Sequence, residues 1–159
     1  MSLSTQLQFR VSADLCTTAD DMANVLDDQS DNTGSIVHNE SLLDTLSEGE
    51  NLYSGKFTGN QAKTVQEHMF TATDLWQNED QWWTHGDVSG GTVGGSQGSN
   101  CNAPAGDMCG HYTQHIWKAT THVCYSHSTG PDGWEYIVAR YKPRGNILEQ
   151  YTANVTPGS

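Results

Sequence analysis

The spacing of apolar residues changes along this chain, and that change limits the folds it can adopt. Over residues 14–26, and again from residue 58 or 60 to about Glu79, apolar residues recur every three or four positions, which predicts two amphipathic helices. Residues 121–126 and 134–141 are strand-like, and a turn containing Gly and Pro joins them. Helices combined with a small antiparallel sheet predict an α+β fold. The predicted buried positions are Leu15, Ala19, Met22, Ala23 and Leu26 in the first helix, and Ala62, Val65, Met69, Ala72, Leu75 and Trp76 in the second.

Length and charge exclude several classes of function. The 159 residues fit one domain, with a net charge of −12 that is concentrated in residues 1–50, where ten acidic residues face one basic residue. Such a surface repels nucleic acid and anionic lipid, so we expect no nucleic-acid partner and, if a protein partner exists, a basic one. No apolar run is long enough to cross a membrane. We expect residues 1–11 to be a vector-derived start or a disordered or atypical N-terminal segment, and residues 12–156 to form the domain, as a monomer or weak dimer.

The four cysteines allow three disulfide pairings, and no CxxC pair suggests a zinc knuckle. Cys101 and Cys109 enclose a short loop with Pro and Gly, so a local bridge between them is predicted. Such a bridge suits an exported protein. Two glycosylation sequons, at Asn39 and Asn154, are consistent with the same compartment.

The segment CGHYTQHIW places two histidines four residues apart. In a helix His111 and His115 would lie on one face, a spacing that can bind a metal ion. The alternative is one working histidine and one bystander. The segment alone does not decide between them.

Four segments occur in an order that resembles a known family: His38-Asn39, Gly-Glu-Asn-Leu at 49–52, Trp-Gln-Asn-Glu at 76–79, and GHYTQ-x-x-W at 110–117. With the stretch Tyr-Lys-Pro-Arg-Gly-Asn-Ile at 141–147, they are similar to the CAP superfamily. That family includes cysteine-rich secretory proteins, insect venom antigen 5 and plant pathogenesis-related class 1 proteins. The resemblance implies a three-layer α-β-α sandwich.

The resemblance also implies a cleft lined by a tetrad, His38, Glu50, Glu79 and His111. In such a cleft the two histidines hold zinc or another divalent metal, with carboxylates and water nearby. His115 then stands where the family usually has an aliphatic residue, which favours the bystander interpretation.

The chain departs from the family pattern in three places. The motif L-x-x-H-N-x-x-R is not found before Ser12, which leaves open whether that helix is trimmed or replaced. An Ala-Arg pair before Tyr141 resembles the Golgi-associated branch, whereas the Cys101/Cys109 pair resembles the secreted branch, which we favour. Cys124 is expected either to pair with Cys16 or to remain a buried thiol.

Three functions compete at this stage. The first is a module that binds sterols, fatty acids or related lipids, for which Trp82 and Trp83 are candidates to form an apolar lip. The second is a metal-dependent hydrolase with Glu50 or Glu79 as general base, although no HExxH or nucleophile elbow is present. The third is a defence or signalling surface. We favour binding over catalysis.

Overall fold

The computed structural model describes residues 9–28, 34–59, 63–86, 100–130 and 133–156. In the described part of the chain, helices α1 (Ala13–Asp28) and α2 (Glu40–Leu46) precede strand β1 (Gly49–Gly55). Helix α3 (Val65–Asn78) continues into a 3-10 turn at Glu79–Trp82. Helix α4 (Gly110–His115), strands β2 (His122–Thr129) and β3 (Glu135–Lys142), and a short helix α5 (Tyr151–Asn154) follow. No described helix is long and apolar enough to cross a membrane.

The three strands form one antiparallel sheet in the order β1-β3-β2, with β3 in the centre. Successive residues of β3 point to opposite faces, and both faces are buried. Helix α1 covers one face, where Leu52, Tyr136 and Val138 pack against its apolar stripe. Helix α3 covers the other face, where Ala72 and Trp76 pack against Ile137 and Ala139. The α+β class and the three-layer α-β-α arrangement are therefore confirmed.

The first predicted helix agrees closely with α1, because every predicted apolar position is buried. The second differs. It begins at Val65 because the Thr64 hydroxyl accepts from Glu67 N while Glu67 Oε2 accepts from Thr64 N, a capping box that starts a helix at that point. Its buried face consists of His68, Ala72 and Trp76.

Val65 and Leu75, which were predicted to be buried, are exposed. The reason is that α3 presents the i, i+4, i+8 row from His68 to the sheet, where Tyr53 and Phe57 accommodate the imidazole. The hydrophobicity of single residues did not indicate that a histidine would take a core position. The predicted glycine-rich loop, residues 86–98, lies outside the described residues except for Gly86.

Strand β1 was not predicted. Its residues include a buried Glu and a buried Asn and end in glycine, so it shows neither the alternation nor the β-branched content of a typical strand. At the N-terminus, Phe9 and Arg10 contact the fold. Arg10 N donates to Thr121 O and Arg10 O accepts from Val123 N, which adds a short parallel bridge at the β2 edge.

Both pairs of cysteines are bonded. Cys101–Cys109 confirms the predicted local bridge. Cys16–Cys124 joins α1 to β2 across 108 residues of sequence, the paired alternative of the two left open above. The long bridge therefore fixes the α1 layer on the sheet.

The Cys16–Cys124 bond should contribute more stability than Cys101–Cys109. Closing a loop of about 100 residues restricts the unfolded chain by roughly 4.7 kcal/mol in the chain-entropy model, and a loop of about ten residues by roughly half of that. Replacing Cys16 and Cys124 together by Ala should lower the free energy of unfolding by about 2–5 kcal/mol in urea titrations. The Cys101→Ala/Cys109→Ala double variant is the matched control. A smaller loss for the long bridge than for the short one would contradict this account.

Candidate metal centre

The first candidate histidine, His38, is held by a carboxylate on β1. Its Nδ1 lies 2.8 Å from Oε1 of Glu50, whose side chain is fully buried. A carboxylate accepts hydrogen bonds, so in the neutral imidazole Nδ1 carries the proton and Nε2 keeps its lone pair. The His38 side chain is 38% exposed. This histidine is therefore oriented from inside the protein and reachable from outside.

Glu50 is held in turn by a buried arginine. Arg140, opposite Glu50 in the β1–β3 register, places Nε 2.8 Å from Oε2 of Glu50 and Nη1 3.3 Å from Oε2 of Glu48. The Arg140 side chain has no solvent exposure. Glu48 also accepts from the Thr18 hydroxyl of α1 and lies 3.5 Å from Lys142 Nζ. A chain of polar contacts thus runs from Thr18 of α1 through Glu48, Arg140 and Glu50 to His38.

The second candidate histidine, His111, pairs with a carboxylate at the end of α3. Glu79 places Oε1 2.6 Å from Nδ1 of His111, and its Oε2 accepts from the backbone N–H of Tyr112 at 3.0 Å. Glu79 is buried, although it lies at the C-terminal end of α3. As in the first pair, Nδ1–H of the neutral imidazole donates to the carboxylate, and Nε2 of His111 keeps its lone pair.

Strand β1 connects the two His–Glu pairs. Glu50 points to the α1 face of the sheet, with Leu52 and Arg140. Asn51 points to the opposite face, where its Nδ2 donates to the carbonyl of His111 at 3.1 Å and to the Tyr141 hydroxyl at 3.3 Å. Consecutive residues of one strand therefore position both pairs.

The GHYTQ-x-x-W segment locks α4 to the turn after β3. The Gln114 Oε1 accepts from Gly145 N at 2.8 Å. A Cβ on Gly49 would lie 2.0 Å from Gln114 Oε1, and one on Gly145 would lie 2.8 Å from its Nε2, so the amide occupies the space that both glycines leave. Thr113 donates to Asn146 Oδ1 at 2.7 Å, and Asn146 Nδ2 donates to Gly110 O at 2.8 Å. These residues position His111.

Three residues that the sequence made candidates for a functional role lie outside the two His–Glu pairs. Trp83 is a core residue packed against Tyr151, and Trp82 is partly buried beside the same cluster. Neither is a fully exposed lip residue. His115 belongs to another environment than His111, since its Nδ1 lies 3.4 Å from the Tyr141 hydroxyl and its ring lies near Phe9. Burial lowers the pKa of His115.

The two candidate histidines share one feature with the histidines of known metal sites. In the described part of the chain, no three His, Cys, Asp or Glu side chains are arranged to hold a metal ion together. His38 and His111, however, each have an imidazole fixed through Nδ1 by a carboxylate, which is the arrangement that zinc-binding histidines use when Nε2 coordinates the metal. Any ion here would be completed by water.

The residues that support these histidines, namely Arg140, Glu48 and Asn51, were not predicted from the sequence. One signal was available, because Arg140 interrupts an otherwise apolar strand, and a charge at such a position must be paired. Glu48 and Asn51 flank Glu50 in a segment that was not recognised as a strand. Their roles follow only from strand register.

Comparison with known proteins gives a consistent result. The profile of the cysteine-rich secretory protein family (CAP) matches residues 6–141. The maize pathogenesis-related protein PRMS is 33% identical over 100 residues, 62% of this chain and 48% of that protein. The human Golgi-associated plant pathogenesis-related protein 1 is 36% identical over 50 residues, 30% of this chain and 32% of that protein. The chain thus spans about half or less of the curated relatives it matches.

Solved structures show the same fold. BmVAL-1 superposes with a TM-score of 0.62 at 19% identity, over 88% of this chain and 61% of that chain. A structure of NaASP2 with Zn2+ superposes with a TM-score of 0.58 at 18% identity, over 88% and 62% respectively. At these identities the likeness concerns the fold.

Replacing Arg140 by Met should destabilise the protein strongly. The substitution leaves the buried carboxylates of Glu48 and Glu50 without their guanidinium, and breaking a buried ion pair on one side costs about 3–5 kcal/mol. The matched control is Lys142→Met, which removes a half-exposed partner of Glu48 and should cost less than about 1 kcal/mol. Urea unfolding at pH 7.5 measures both. Equal losses in the two variants would contradict the central role of Arg140.

His115 should make the protein less stable in mild acid. Its pKa is lowered in the folded state, so as pH falls the unfolded chain takes up the proton first and the free energy of unfolding decreases. Between pH 7.5 and 5.5 the parent should lose more stability than His115→Leu, which has no proton to gain. Denaturant titrations at both pH values test this. An equal loss in the variant would show that His115 does not contribute.

Proposed function

Because the chain belongs to the cysteine-rich secretory protein (CAP) family, we propose that it is a binding module in which His38 and His111 hold one divalent metal ion, such as zinc. The observation that carries the proposal is that each imidazole is hydrogen-bonded through Nδ1 to a buried carboxylate. In the neutral imidazole this leaves the Nε2 lone pair available to coordinate a metal ion. The related structure with Zn2+ supports the choice of metal. When bound, the ion would act as a Lewis acid toward a ligand or water.

The occupied carboxylates favour binding over hydrolysis. A general base needs a free oxygen near the water that it deprotonates. Glu50 has one oxygen on His38 and the other beside Arg140, and Glu79 has one on His111 and the other on Tyr112 N. Both candidate bases are therefore committed to orienting histidines. A metal-dependent protease or esterase, the alternative function, would require one of them to leave its partner.

Surface charge, the tryptophan pair and the disulfides support further proposals about partners and location. Helix α1 carries Asp14, Asp20, Asp21, Asp27 and Asp28 and no basic residue, which supports a basic protein partner over an acidic one. A sterol or fatty acid is the lipid class we favour, with Trp82 as the remaining partly accessible residue of the predicted lip. The two disulfides support a secreted protein, with a cytosolic or Golgi-associated location as the alternative.

Zinc titration by calorimetry at pH 7.5 tests the metal site. Heat of binding should be present in the parent and absent in both His38→Ala and His111→Ala, because a single remaining imidazole cannot hold the ion. Glu79→Gln should bind about 10–100-fold more weakly, the usual effect of losing a carboxylate that orients a histidine ligand. The zinc-loaded parent should show no ester or peptide hydrolysis above that of the parent without metal.

The control is His127→Ala. His127 forms a third His–Glu pair, with Glu135, and its side chain is as buried as that of His111, but it is bonded through Nε2 and lies on β2. Zinc binding should be unchanged in this variant. Binding that disappears with His127, or persists without His38 and His111, would sink the proposed site.

A further inference from the structure

Two sequons occur in the chain, Asn39-Glu40-Ser41 and Asn154-Val155-Thr156, and the structure treats them very differently. We propose that Asn39 is an N-glycan acceptor and that Asn154 is not. The sugar would then stand on the residue next to His38. This inference depends on passage through the secretory pathway and not on metal binding.

Asn39 presents its side-chain nitrogen to solvent. The residue is exposed and caps helix α2, with its Oδ1 accepting from the backbone N–H of Leu42 at 3.1 Å. The cap uses the oxygen alone, and within the described part of the chain Nδ2 has no hydrogen-bond partner. A sugar on Nδ2 leaves Oδ1 in place as an acceptor. The helix cap and the modification are therefore compatible at one residue.

Asn154 uses both atoms of its amide inside the protein. It is 8% exposed. Its Nδ2 donates to Gln150 O at 2.9 Å, and its Oδ1 accepts from Ala119 N at 3.0 Å. Its backbone carbonyl also accepts from Lys118 N at 3.1 Å. A glycan is large and must lie at the surface, so it cannot be attached here without opening the contact between α5 and the turn after α4.

The chemistry requires only the nitrogen that Asn39 leaves open. The co-substrate is an oligosaccharide linked through C1 to a lipid pyrophosphate. The C1–O bond to the pyrophosphate breaks, a C1–N bond to Nδ2 forms, the lipid pyrophosphate leaves, and the amide gives up one proton. The product is a secondary amide with one remaining N–H, whose carbonyl oxygen still faces Leu42 N.

A glycan on Asn39 would lie beside the candidate metal centre. His38 immediately precedes Asn39, and its imidazole is partly exposed. A branched sugar at this point limits the approach of a large molecule to His38, while an ion or water can still pass. The disulfides place folding in an oxidising compartment, where the transferase also acts.

The test uses the full chain, fused to a secretory leader and expressed in insect cells. The secreted protein is scored by intact mass before and after peptide N-glycosidase, and only molecules without free thiols are counted as folded. The enzyme leaves aspartate at the carrier asparagine, so peptide mass mapping locates the site. Three variants accompany the parent: Ser41→Ala removes the first sequon, Ser41→Thr keeps it, and Thr156→Ala removes the second without touching Asn154.

We expect one glycan on the parent, mapped to residue 39, absent in Ser41→Ala and retained in Ser41→Thr and Thr156→Ala. A folded parent without a glycan, or one that carries a glycan at residue 154, would overturn the proposal. Peptide mapping of the parent alone distinguishes these results, so the test stands even if one variant fails to fold. None of the readouts involves zinc, and a failed metal titration leaves this proposal unaffected.

Discussion

The candidate site depends on a guanidinium that has no contact with solvent. Arg140 lies on the central strand, and a cation in that position is costly unless anions surround it. Glu50 on the edge strand and Glu48 just before that strand supply two negative charges, and Lys142 supplies a second positive charge, so the group is formally neutral. In the β1–β3 register Glu50 lies directly opposite Arg140. That register in turn decides where Glu50 meets His38.

The alternation of side chains along a strand explains how one short element supports two histidines. Glu50 reaches His38 from one face of β1, and Asn51 reaches the His111 carbonyl from the other. Glu79 completes the second pair from the end of α3. The second oxygen of Glu50 lies in an ion pair with Arg140, and the second oxygen of Glu79 accepts from the backbone N–H of Tyr112. Both carboxylates therefore contact a histidine and a second protein group.

Much of the layer structure could be predicted from the sequence, and the reasons are local. Helix α1 has a full apolar stripe, and β2 and β3 are joined by a turn with strong Gly and Pro signals. The buried face of α3 was partly wrong because His68 takes a core position that its polarity hides. Strand β1 was missed because two of its buried positions, Glu50 and Asn51, are polar, and a polar residue is buried only when a distant partner is present.

The candidate site also contains some residues that could be predicted from the sequence and others that could not. Its four principal side chains could be assigned because they lie in motifs that resemble a family, although the sequence did not show which histidine pairs with which glutamate. Arg140 could not be placed behind Glu50 from sequence, because their pairing joins residues 90 positions apart through strand register. Contacts of that kind exist only once the sheet has formed.

The amide of Gln114, enclosed between Gly49 and Gly145, limits the amino-acid substitutions that this chain can accept during evolution. The three residues lie in separate motifs, yet they share one volume, and a methyl group at either glycine would overlap the amide. No single exchange among them that adds bulk is tolerated without loss elsewhere. Substitutions here are expected to occur together, a larger residue at one position being accompanied by a shorter one at another. A change in one of the three motifs therefore constrains the other two.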